Sequence, residues 1–352
     1  MTRDIAVVSV AQSQEKALTH TTEVELMVPI INEARGAVGL TQDDIGFTCS
    51  GSSDFLAGQA FSFVHTLDAV GAVPPISESH VEMDGAWALY ESWVKLQIGG
   101  IDTALVYSYG KSSPGSLRDV LSTQLDPYYL GPLWPDAFAM AALQARIMLE
   151  SGAVSEQRLA EIAVRSLNGA ADNPLAVRSS ADATVDSVLA EAPIADPLRP
   201  SDCAASADGG VAVVLAAGDR ARELCERPAW ITGIDHRIDP HQPGVRDLTR
   251  APSAHKAAAE AGAGNDRLDA AELAAPFTTQ EHILEVELGL GPDTAVNASG
   301  GALAGHTMMA AGLMRIADAA RQIHEGQADR VLGHAASGLF LQQNLVCVME
   351  GE

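Results

Sequence analysis

The chain repeats itself, and a repeat of this size predicts a fold with two matching halves. Gly85 opens a stretch of helical periodicity carrying Trp87, Leu89, Trp93, Leu96 and Ile98. It ends at Gly99-Gly100-Ile101-Asp102 and runs into the apolar Ala104-Leu105-Val106-Tyr107. Gly312 sits in a second such stretch, which ends at Gly326-Gln327-Ala328-Asp329 and runs into Val331-Leu332-Gly333. The glycine-to-glycine interval and the G-x-x-D exit agree. A second pairing sets Asp208–Leu215 against Ser337–Asn344. Strands are expected near 4–11, 45–49 and 103–109, with helices near 22–38 and over 85–98. The order β-α-β-α-α-β implies a layered α/β fold, helices against a mainly parallel sheet.

At 352 residues the chain has ample core without a disulfide or metal staple. We place the halves at 1–225 and 226–352. An insertion spans about 111–200, with helices at 136–152 and 155–168 and an aromatic loop, Tyr128-Tyr129-Leu130-Gly131-Pro132-Leu133-Trp134-Pro135. The proline-bearing stretch 240–262 reads as a linker between halves. A net charge of -24 argues against nucleic acid and an anionic membrane surface. Cys49, Cys203, Cys225 and Cys347 lack metal-type spacing, and Cys347 reads as strand packing. No signal region and no apolar run of about 18 residues is present, so a cytoplasmic protein is expected.

Chemistry concentrates at two turns. Asn297-Ala298-Ser299-Gly300-Gly301-Ala302-Leu303-Ala304-Gly305-His306 delivers one histidine beside an apolar helix starting near Thr307. Glu82-Met83-Asp84-Gly85 opens the matching helix of the first half. Glu82 and Asp84 suit a helix cap and dipole partner, and Asn297 suits a glycine-turn anchor. His334 stands at a strand, where it either acts on substrate or bonds a neighbouring carbonyl.

Several segments together resemble the thiolase superfamily, specifically sterol-carrier-protein-type thiolases and the actinobacterial lipid-transfer protein group. Ser166–Ala176, with Asn173-Pro174, is similar to the family's loop domain. Ile194–Arg199, Asp202-Cys203 and Asp208–Val213 are similar to its passage into the central strand. Ala271–Thr278 occupies the second-half active-site segment, and Asn297–His306 is similar to its glycine-histidine-proline loop. The resemblance implies a duplicated five-layered αβαβα fold with an inserted loop domain, and a dimer. It also implies a coenzyme A thioester as substrate, with no metal or other cofactor.

Such thiolases use a cysteine nucleophile, an oxyanion site built from an Asn or His plus the loop histidine, and a second cysteine as base. Aligned on Gly85, Glu82 takes the nucleophile's place. Ala274-Ala275-Pro276-Phe277 replaces the polar element, and the second cysteine falls at His334 or Ala335. The candidate site is therefore His306 and His334 as catalytic groups, with Glu82, Asp84, Asn297, Gly305 and Ser337 on the substrate.

Three readings stand open. One is a subunit of an acyl-CoA C–C lyase of the retro-aldol type, in sterol or steroid side-chain catabolism. Another is a catalytically degenerate subunit pairing with an active thiolase-like paralogue, as homo- or heterodimer. The third is an acyl-CoA or lipid carrier. Relatives of this group also work with small OB-fold/zinc-ribbon proteins, which makes such a protein an expected partner.

Overall fold

The computed structural model describes residues 3–58, 60–71 and 76–352. Its strands are β1 (Ile5–Glu15), β2 (Phe47–Gly51), β3 (Glu78–Val81), β4 (Thr103–Gly110), β5 (Asp208–Ala217), β6 (Ala229–Ile238), β7 (Ala270–Leu273), β8 (Ala295–Val296), β9 (Arg330–Ser337) and β10 (Gln343–Glu350). They join in the order β3-β2-β4-β5-β1-β6-β10-β9-β7-β8. Cut between β1 and β6, the two sides have the same arrangement, read outward from the seam in opposite directions. In the first, β2 pairs parallel with β3 and β4, while β4–β5 and β5–β1 are antiparallel. In the second, β7 pairs parallel with β8 and β9, while β9–β10 and β10–β6 are antiparallel. The seam itself is short: Ala6 opposite Trp230 and Val7 opposite Ala229. The duplication is real.

Side-chain alternation along each strand fixes the layers. Val211, Val213 and Leu215 of β5 point into a central core shared by the helices Gly85–Ile98 and Ala311–His324. Ala212, Val214 and Ala216 point the other way, onto Met27, Ile30 and Ile31 of the helix Glu23–Ala37. Strand β10 does the same, with Leu345, Cys347 and Met349 inward and Val346 and Val348 outward. The outward pair meets Ala254 and Ala257 of the helix Pro252–Glu260 and Ile283 and Leu284 of the helix Thr278–Glu287. Sheets covered on both faces need apolar residues at every position, and β5 is buried throughout. The layers run αβαβα.

Three expectations require correction. Residues 240–262 follow β6 and carry the helix Pro252–Glu260, so they belong inside the second half. Ser337–Asn344 is chiefly the turn joining β9 to β10, and the counterpart of β5 is β10. Strand β3, too short and polar to signal itself, was absent from the expected order.

The central helices approach too closely for ordinary side chains at their glycines. A Cβ on Gly85 would lie 2.5 Å from Ser108 Cβ and 2.8 Å from Leu313 Cδ2. Overpacking a filled core typically costs about 1–3 kcal/mol. Gly85→Ala should therefore lower the urea midpoint by a loss of that size, with an unchanged slope.

Candidate active site

His306 is held by its backbone. Its N–H donates to Ala205 O at 2.8 Å, and its carbonyl accepts from Ala207 N at 3.1 Å, just before β5. Upstream, Asn297 sits at φ 51° and is 1% exposed. Its Oδ1 accepts from Leu273 N at 2.6 Å and its Nδ2 donates to Glu281 Oε2 at 2.8 Å. Gly300 turns the chain at φ +93°. The insertion grips the same loop: Asn173 Nδ2 donates to Ser299 O at 2.7 Å, and Arg178 Nη2 donates to Leu303 O at 2.8 Å. A Cβ on Gly110, at the end of β4, would lie 1.7 Å from Thr307 O, so that strand closes directly on the loop.

The imidazole has a defined tautomer. Met308 N donates to His306 Nδ1 at 3.3 Å, which makes Nδ1 the acceptor and leaves the ring proton on Nε2. Nε2 meets no protein partner among the described residues. Burial, and then the positive charge of Arg315, push the ring's pKa down to about 4. His306 is a neutral N–H donor at physiological pH.

Asp84 caps the helix Gly85–Ile98. Its Oδ1 accepts from Ala86 N at 2.8 Å and from Leu313 N at 3.0 Å; its Oδ2 accepts from Gly312 N at 2.7 Å. One carboxylate thus serves the N-termini of both central helices.

His306 and Asp84 line one cavity of about 290 Å³. Its wall is largely apolar: Leu121, Leu125 and Leu130 from the insertion, Phe277, Met308 and Met309, and Leu339 to Leu341 from the β9–β10 turn. Met308, Phe340 and Leu341 hold left-handed backbone at φ 49°, 56° and 54°. Strain at non-glycine residues concentrates at functional sites, and these three share this wall. Ser337 also lines it.

Four other expected residues lie elsewhere. His334 points from β9 to the outer face of its sheet, fully buried, with Nε2 3.0 Å from Asn344 Oδ1. A one-residue step along a strand changes face, and Ala335, the alternative, is the residue that meets Gly312 and the central helices. His334 cannot reach a ligand in this cavity. Glu82 stays half-exposed outside it, accepting from Asp54 N at 2.6 Å with His80 Nε2 3.6 Å away. Asn297 spends its amide on the loop, and Gly305 is covered by the Gln14 side chain.

Ala274, Pro276 and Phe277 do line the wall, without a polar side chain where the resemblance placed one. None of the cysteines lines it; burial raises Cys49, Cys203 and Cys347 to about 12.

Residues missed in the sequence include Asp126 and His241, which line the cavity, and Arg315 with Glu272 behind the loop. Arg315 and Asp318, charged residues among the apolar positions of the helix Ala311–His324, were the available signal. Among the described residues no His, Cys, Asp or Glu group is arranged to hold a metal ion, and no helix is long and apolar enough to cross a membrane.

A depressed histidine pKa has a direct readout. The His306 imidazole resonances should stay at their neutral positions from pH 8 down to 5.5 in an NMR titration. A midpoint near 6.5 would contradict the site as described.

No protein-family model matches the chain. Over 306 residues it is 25% identical to the benzoylsuccinyl-CoA thiolase subunit BbsB of Thauera aromatica, covering 78% of this chain and 76% of that one. Over 143 residues it is 29% identical to the 17-hydroxy-3-oxo-4-pregnene-20-carboxyl-CoA lyase of Mycobacterium tuberculosis, covering 41% of this chain and 31% of that one. The solved structure of the Ltp2-ChsH2(DUF35) aldolase superposes with a TM-score of 0.81 at 20% identity, covering 99% of this chain and 98% of that one. With its duplicated strand order, paired central helices and histidine loop, the chain has the thiolase fold and is similar to thiolase-like proteins over most of its length.

Proposed function

We propose that this chain is the thiolase-like subunit of an acyl-CoA lyase that cleaves a carbon–carbon bond by a retro-aldol reaction. The observation that carries the reading is a neutral His306 with its Nε2 proton free, in an apolar cavity whose wall has no cysteine. Claisen thiolysis needs a thiolate to take the acyl group. Cleavage of a β-hydroxyacyl thioester needs none: it needs a base for the β-hydroxyl proton and a donor for the enolate oxygen. His306 Nε2–H suits the donor. The wall suits a bulky apolar acyl group, and a sterol-type side chain fits both this wall and the kind of lyase to which the chain is similar. The substrate is then a coenzyme A thioester, with no further cofactor. The cytoplasm is the fitting compartment.

Two similar proteins are named as parts of larger assemblies, a thiolase subunit and an aldolase of two components. A paralogue or a small OB-fold/zinc-ribbon protein is the expected companion here. The absence of a polar side chain at Ala274 and Pro276 favours a second reading, a degenerate subunit whose paralogue holds the chemistry.

The test uses the chain alone and co-expressed with a thiolase-like partner, assayed on β-hydroxyacyl-CoA. His306→Ala should lower kcat/KM by about 10²–10³, the usual loss of an oxyanion donor. Thiol alkylation should leave the rate unchanged. Full activity in the His306→Ala complex would move the chemistry to the partner.

A further inference from the structure

We propose that Asp84 is the base of this reaction, taking the β-hydroxyl proton at the one lone pair its capping bonds leave open. The inference rests on the retro-aldol reading and adds the group that reading lacks.

A carboxylate offers about four lone-pair positions. Asp84 spends two on Oδ1, for Ala86 N and Leu313 N, and one on Oδ2, for Gly312 N. The remaining position is on Oδ2, and the residue lines the same cavity as His306. All three partners are donors, so the site is built around an anion. It is also built tightly: a Cβ on Gly312 would lie 2.7 Å from Asp84 Oδ1.

A helix cap on a protein surface would be equally well bonded, and chemically inert. Asp84 differs because it is only 3% exposed. Burial raises its pKa to about 7 while the three amides oppose the rise. No charged side chain contributes to that shift. The other titratable groups on the cavity wall are His306, Asp126 and His241, and Arg315 stands behind His306. A base poised near the working pH is the effective one.

The step balances without an outside reagent. The β-hydroxyl proton passes to Asp84 Oδ2 as the Cα–Cβ bond breaks. Cβ becomes a carbonyl carbon, and the bond's electron pair becomes the thioester enolate, whose oxygen faces His306 Nε2–H. The enolate then takes the proton from Asp84 at Cα, giving the shortened acyl-CoA.

The test compares wild type, Asp84→Asn and His306→Ala within the intact complex, on a β-hydroxyacyl-CoA whose cleavage by wild type is first established. Asp84→Asn should lower kcat by 10²-fold or more, with KM moved less than about threefold and substrate binding retained. The wild-type kcat should fall on the acid side as Asp84 protonates; the residual rate of the variant should lack that limb. Retention of kcat in Asp84→Asn, with His306→Ala inactive, overturns the role of Asp84 and leaves the lyase reading standing. No cleavage by wild type overturns both. Should the Asn variant fail to fold, the wild-type profile decides: a kcat flat from pH 5 to 8 overturns the proposal.

Discussion

Two helix N-termini, one from each half of the duplicated chain, are buried against each other, and neither can hydrate its free amides. Asp84 resolves the problem for both, accepting from Ala86, Gly312 and Leu313. Each helix end also presents partial positive charge, so the pair disfavours approach without an anion between them. The close packing of Gly85 and Gly312 follows from this arrangement, because the amides must reach one carboxylate. The cavity forms where the junction meets the histidine loop. Fold stability and the proposed site chemistry draw on the same few atoms.

The loop is positioned from several sides. Behind it, Arg315 Nη1 donates to Ser299 Oγ at 3.0 Å and Nη2 lies 2.9 Å from Asp318 Oδ2. Ser299 Oγ donates to Glu272 Oε2 at 2.8 Å, and Gln322 Nε2 donates to Glu272 Oε1 at 3.0 Å. Burial and the neighbouring Asp318 push the Glu272 carboxyl above the usual carboxylate range, against the pull of Arg315. Buried charges persist only when bonded this fully. Beside the loop, the insertion supplies Asn173 and Arg178, together with Arg165, which pairs with Glu285 at 2.8 Å. The insertion therefore does two jobs, walling the cavity with leucines and fixing the turn that carries His306.

Much of this architecture is legible in sequence because duplication leaves matched periodicity, and Gly85–Ile98 is helical over the expected residues. The strand reading succeeded at Cys347, where apolar residues run unbroken. It failed at β3, whose four residues, Glu78 to Val81, lack a hydrophobic run. The site was legible where backbone and side chain act together, as at the Asn297–His306 loop. It was not legible at His334, because facing depends on register to a single residue. Glu82 misled for a related reason: it occupies the aligned turn position, yet its carboxylate turns outward to Asp54 N. The residue that reaches the junction is two further on. Asp126 and His241 carry no local signal, since distant segments bring them to the same wall.

The proposed chemistry requires His306 to donate its Nε2 proton to a thioester oxygen. Isotope-edited infrared spectroscopy of a ¹³C=O-labelled, non-cleavable acyl-CoA bound to the complex measures that bond directly. The carbonyl stretch should move to lower frequency on binding to wild type and return toward the solution value in His306→Ala. An unshifted band in wild type, or the same shift in both proteins, would contradict it.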